Sequence, residues 1–124
     1  MLTITNTTKG KLPRLPFLKM TTAVLGPEYE CSLVIVSPKK SRELNRTYRE
    51  KDYSTNILSF PLNENEGEIF LDLEKAREEC KLFDRSYTNF VAFLFIHGLC
   101  HLKGLDHGTK MENTEKKFRT LFKI

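Results

Sequence analysis

The sequence predicts a single α+β domain over residues 1–124, a small mixed four-stranded sheet packed with about five helices. Three observations carry this. A chain of 124 residues can bury one core but is short for two. Short β-branched runs alternate with longer segments of helical period, in the order strand, helix, strand, helix, two strands, three helices. The stretch from Phe90 to Leu102 is apolar nearly all round, as a helix in the middle of a domain must be.

Each element has its own signal. Leu2 to Thr5 reads as a short edge strand. Pro13 to Leu25 reads as a helix, with Gly26-Pro27 as its stop. Cys31 to Val36 is β-branched and apolar, a buried strand. Ser37-Pro38 opens a second helix, with Ser as N-cap and Pro at the first position; it carries Leu44, Tyr48 and a basic run. Asn56 to Phe60 reads as a strand that Pro61 stops. Residues 63–67 are turn chemistry, and Glu68 to Leu73 reads as the hairpin partner. Helices follow over Glu74 to Phe83, Tyr87 to Leu102 and Lys110 to Phe122.

Composition excludes several classes. With 40% hydrophobic and 29% charged residues the chain is neither a disordered tail nor a disulfide scaffold. Its longest apolar run, Val91 to Ile96, is too short to span a bilayer, so no membrane role is expected. The first residues lack the basic head and apolar core of a signal peptide, which predicts a cytoplasmic protein. Cys31, Cys80 and Cys100 then read as reduced thiols acting as small buried hydrophobes. The net charge of +4 is mild, but it is segregated: Lys39 to Lys51 holds six bases and two acids, and Glu64 to Glu79 seven acids and two bases. That pattern suits an anionic partner on one side, or simply the solvated faces of ordinary helices.

All three histidines fall within eleven residues, His97 to His107. His97 and His101 are four apart on the predicted helix, about 40° apart around its axis and one turn along it. Gly104 can take positive φ, end the helix and let the chain bring His107 back to the same point. Three neutral imidazoles leave a fourth tetrahedral position open, the layout of a catalytic zinc at the end of a central buried helix. The alternatives are ordinary core or surface histidines, or a structural zinc completed by a cysteine. Cys100 is the nearest thiol, about 100° off the histidine face. The spacing also matches H-E-x-x-H-x-x-G-x-x-H of the metzincin proteases, except that Gly98 stands where those enzymes have their general-base Glu. Peptide hydrolysis by that route is therefore disfavoured.

The run His97-Gly98-Leu99-Cys100-His101-Leu102-Lys103-Gly104-Leu105-Asp106-His107 resembles the H-G-x-L-H-L-x-G-Y-D-H signature of the YbeY family of bacterial metal-dependent endoribonucleases and ribosomal RNA maturation factors. Leu44-Asn45-Arg46-Thr47-Tyr48-Arg49, Asp52 and Ser54-Thr55-Asn56-Ile57-Leu58-Ser59-Phe60-Pro61 resemble its L-N-x-x-Y-R-x-x-D-x-P-T-[DN]-V-L-S-F-P block. Gly67-Glu68-Ile69 stands at its G-D-I, and Met111 with Glu115 at its closing M-x-x-x-E. Ser54, Glu68, Leu99, Cys100 and Leu105 depart from the pattern, and the chain is short for the family before Cys31.

The resemblance implies that His97, His101 and His107 bind one Zn2+ and that Arg49 is the functional arginine. It implies a single-strand endoribonuclease that matures the 3′ end of 16S ribosomal RNA and serves ribosome quality control. Its expected partners are ribosomal RNA and the small subunit, with ribosomal proteins or GTPase assembly factors. The chemistry agrees: a zinc ion acidifies its bound water and draws charge from a phosphoryl oxygen, and Arg49 can clamp phosphate bidentately. Asp106 is a candidate to orient a ligand imidazole, or else a turn cap; Thr55 and Ser59 are expected to hold the sheet edge beside the metal. Two other functions stay open, a non-enzymatic ribosome-assembly factor with a structural zinc and a metallohydrolase of peptides or small substrates.

Overall fold

The structure, a computed structural model, describes residues 1–124. It has the expected element order: β1 (Leu2–Asn6), α1 (Phe17–Leu25), β2 (Glu30–Ile35), α2 (Pro38–Arg49), β3 (Ile57–Asn63), β4 (Glu66–Leu71), α3 (Leu73–Glu79), α4 (Tyr87–Leu102) and α5 (Thr109–Phe122), with a 3-10 turn over Cys80–Phe83. The sheet order is β1-β2-β4-β3. β1, β2 and β4 run parallel, and β3 closes the edge antiparallel to β4 as a hairpin. No helix is long and apolar enough to cross a membrane.

Alternation along the strands sorts the two faces. Leu33, Ile35, Ile69 and Leu71 are fully buried under α4. Helix α4 carries Phe90, Val91, Phe95, Ile96 and Leu99 into the same core, with α1, α3 and α5 packed around it. Phe17 of α1 meets Phe95 edge to face at 5.0 Å. The opposite face of the sheet is covered at its β3 end by α2, where Tyr48 meets Phe60 at a tilt and Phe60 meets Phe70 edge to face.

The structure moves some predicted boundaries. Helix α1 begins at Phe17, not Pro13, because two prolines precede it: Pro16 denies the chain an interior N–H and pushes Leu15 out of helical space. The strand stopped at Pro61 by sequence runs on to Asn63. β3 is an edge strand with a register shift between Pro61 and Asn63, which is where a sheet accepts proline. The turn contracts to Glu64-Asn65, and β4 ends at Leu71 so that Asp72 can N-cap α3. The helix read over Glu74 to Phe83 is α3 followed by the tighter turn. Ser37 caps α2 at Lys40 N as its sequence suggests, and α4 has the expected bounds.

Candidate metal centre

α4 delivers two of the three histidines. His97 and His101 are half-buried on one face of its last turns. Gly104 follows at φ 94°, a conformation that suits glycine and turns the chain back toward the helix end. The turn brings His107 to the same place. Ring centroids are 4.6 Å apart for His97–His101, 5.3 Å for His101–His107 and 5.8 Å for His97–His107. Imidazoles sharing one tetrahedral ion at about 2.0–2.1 Å stand with centroids about 5 Å apart. The facing Nε2 atoms of His97 and His101 are 3.1 Å apart, near the edge length of such a tetrahedron. The side chains do not already form a closed cage of three donors; their spacing and all-nitrogen chemistry fit one. His101 has its pKa lowered, first by burial and then by His97, His107 and Arg49, which favours the neutral imidazole that a metal requires.

Glu115, from α5, is the site residue that the motif spacing does not reveal. It is 8% exposed, and its Oε1 accepts a 2.6 Å hydrogen bond from His97 Nδ1. A carboxylate only accepts, so an ionised Glu115 assigns the His97 proton to Nδ1 and leaves the lone pair on Nε2, the atom facing His101. Asp106, the acid singled out from sequence, is exposed and makes no hydrogen bond to an imidazole. The one signal for Glu115 is its place in the closing M-x-x-x-E block.

The three imidazoles open into a cavity of about 460 Å³. Arg49, Thr55, Asn56 and Ser59 form one wall, Phe83, Phe93 and Leu94 another. Arg49 reaches it because α2 is stitched to the loop before β3. Ser41 Oγ donates to Thr55 O and accepts from Thr55 N, and Asn45 Nδ2 donates to Tyr53 O. The Arg49 side chain is exposed and without an ion pair, unlike Arg42 and Arg46, which face Asp52. Ser59 Oγ donates to Gly98 O, tying β3 to α4 at the centre itself. Glu68 lies away from the cavity, on the other face of the sheet.

Gly98 also has a packing reason. A Cβ there would stand 3.0 Å from Ile57 Cδ1 and from Ser59 Oγ. The position that carries Glu in metzincin proteases is pressed against the sheet here, and a side chain there would have to push Ile57 and Ser59 aside.

The profile of the family described as Endoribonuclease YbeY matches residues 11–122. Among curated relatives, the Endoribonuclease YbeY of Alkaliphilus metalliredigens is 40% identical over 104 residues, covering 75% of this chain and 67% of its own length. That of Campylobacter jejuni is 33% identical over 116 residues, covering 87% and 86%. The match spans only 60% of the Alkaliphilus oremlandii relative and 57% of the Carboxydothermus hydrogenoformans one. A solution structure from Thermotoga maritima superposes with a TM-score of 0.65 at 25% identity, covering 95% of this chain and 86% of that one.

Proposed function

The chain belongs to the YbeY endoribonuclease family, and from that premise we propose that it cuts single-stranded RNA at the histidine cavity with one zinc ion, held by His97, His101 and His107. The observation that carries the proposal is the convergence of three imidazoles and an unpaired Arg49 on one cavity. A zinc ion bound there supplies Lewis acidity, making water acidic enough to attack near neutral pH and neutralising phosphoryl charge.

The rest belongs to the chain. Arg49 offers two parallel N–H donors to the non-bridging oxygens of the scissile phosphate and stabilises the charge that builds on them. Glu115 keeps the His97 proton on Nδ1 and the ring fixed. Thr55 and Ser59 hold the β3 edge against α4, so the polar wall keeps its distance from the histidines. Phe83 and Leu94 make the other wall apolar, and the exposed Phe83 offers aromatic surface to an unstacked base, which favours single strands. In the cell the reading places the protein in the cytoplasm, maturing the 3′ end of 16S ribosomal RNA and serving ribosome quality control. Its partners there are the small subunit, with its proteins or GTPase assembly factors.

The test is cleavage of a labelled single-stranded ribosomal RNA fragment, with and without chelator, beside His101→Ala and Arg49→Ala purified identically. The expected result is cutting that chelator and His101→Ala abolish. Arg49→Ala should lower it by about 100-fold, the scale of one lost charge-stabilising donor. Equal cutting by wild type and His101→Ala would refute the proposal.

A further inference from the structure

Beyond the histidines, Phe83 and Phe93 of the cavity wall lead along the seam between α4 and α5, and Phe83 separates the cavity from a second, shallower pocket lined by Asp84, Arg85, Ser86 and Asn89. The two helices run antiparallel there. His97 meets Glu115, and one turn further out Phe93 meets Arg119, whose guanidinium lies 5.4 Å from the ring centroid. Arg85, just before α4, sits over the same ring at 4.4 Å and donates to Asn89 Oδ1. Neither arginine has a carboxylate within ion-pair distance. The two guanidiniums lie close enough that Arg119, after burial, holds the Arg85 pKa down. Two half-buried like charges on one ring, uncompensated, ask for an anion. Beside them Phe83 stacks on Phe90 at 4.9 Å; the residue is still 50% exposed and lines both the histidine cavity and the pocket that holds Arg85.

We propose that Arg85, Arg119 and Phe83 form a second nucleotide subsite, in which the two guanidiniums hold a backbone phosphate and the Phe83 ring takes the adjoining base. The inference rests on the RNA-cleaving reading above and deepens it. Phe93 is one helical turn, about 6 Å along the axis, from His97. The subsite therefore serves a nucleotide neighbouring the scissile phosphate and fixes how the strand enters the cavity. A stacking ring with two cations reads strand chemistry rather than base identity, so little sequence preference is expected from it.

The experiment uses the zinc-loaded protein and a fluorescein-labelled eight-residue 2′-O-methyl uridine oligonucleotide, which resists cutting. Anisotropy gives Kd as a function of salt. Arg85→Gln and Arg119→Gln should each weaken binding about ten-fold and flatten the salt slope by about 0.7. Lys9→Gln, a charge removed outside the cavity, should leave the slope unchanged. The chain has no tryptophan, so Phe83→Trp adds a single reporter. Its fluorescence should be quenched by the oligonucleotide but not by inorganic phosphate or heparin, which lack bases. Cleavage of the unmodified RNA should show raised KM and near-normal kcat in Arg119→Gln. Slopes in both arginine variants equal to that of Lys9→Gln, or an unmoved tryptophan signal at saturation, would overturn the subsite. If RNA is still cut and bound by wild type in that case, the RNA-cleaving reading stands without it. If wild type neither binds nor cuts RNA, both fall.

Discussion

His97 offers an ion one of its two ring nitrogens, and Glu115 decides which. Removing the carboxylate's charge while keeping its shape isolates that effect. Glu115→Gln should lower zinc affinity about 10- to 100-fold, the usual scale for a hydrogen-bonded carboxylate behind a metal-binding imidazole. Competition against a chromogenic chelator reads it directly, and the circular dichroism spectrum should not change. Wild-type affinity in this variant would mean that Glu115 only fills space. The three histidines were legible from sequence because their geometry is local: one helical turn and one glycine turn. Glu115 was not, because it lies 18 residues from His97 on another helix, and no local period connects them. Cys31 shows a second residue-scale effect. Burial pushes its thiol up to about 11, against a small opposing pull from the N-terminal ammonium. At pH 7 only about one part in 10,000 is thiolate. Labelling of the folded protein with an aromatic disulfide at pH 7 should therefore leave Cys31 unmodified until urea unfolds the chain. Fast modification of Cys31 in the native state, located by mass spectrometry, would contradict this.

At the scale of elements, periodicity and composition indicated which segments form helices and strands, and the ends marked by prolines depended on their setting. The helix start at Phe17 follows from Pro16, which stands in the sequence, whereas the continuation of β3 past Pro61 depends on its edge position in the sheet, which the chain alone does not display. The cap of α3 carries a prediction. Asp72 Oδ1 accepts from Lys75 N at 3.0 Å, while Oδ2 is buried without a partner. Burial raises its pKa, outweighing the hydrogen bonds that lower it. A raised folded pKa means that the stabilising contribution is complete below the unfolded carboxylate range, about 3.9. It is lost as pH climbs through that range to the raised value. Asp72→Asn keeps a capping oxygen and removes the charge. Its Tm relative to wild type should therefore rise as pH goes from 3.5 to 7. Asp72→Ala, which loses the cap, should cost about 1 kcal/mol at pH 7. A Tm difference for Asp72→Asn that is flat or falls with pH would show that the carboxylate is not strained by burial.

On the scale of the whole molecule, the question is whether the metal builds the fold or uses it. The core is built of 23 buried apolar residues, and the histidines lie at its margin, His97 and His101 half-buried and His107 exposed. The sheet, α1 and the first three turns of α4 are packed without help from the imidazoles. What an ion would tie together is narrower: the last turn of α4, the Gly104 turn and the start of α5. Chelation is therefore expected to leave the circular dichroism spectrum of the chain nearly intact and to lower Tm only by the linkage term. That term is about 2.7 kcal/mol of stability when free zinc is held at 100 times its Kd, and it vanishes as zinc is removed. His101→Ala should match chelated wild type in Tm and gain nothing from added zinc. Hydrogen exchange locates the effect: amides over residues 101–112 should lose protection on chelation, while those of β2 and β4 keep it. Global unfolding on chelation would instead make the zinc structural, and the cavity would then be a folding device. Fifteen residues line that cavity, among them Arg49, Thr55 and Ser59, which have no part in holding an ion if its role is only structural. Their convergence on the histidines is why the catalytic outcome is the expected one.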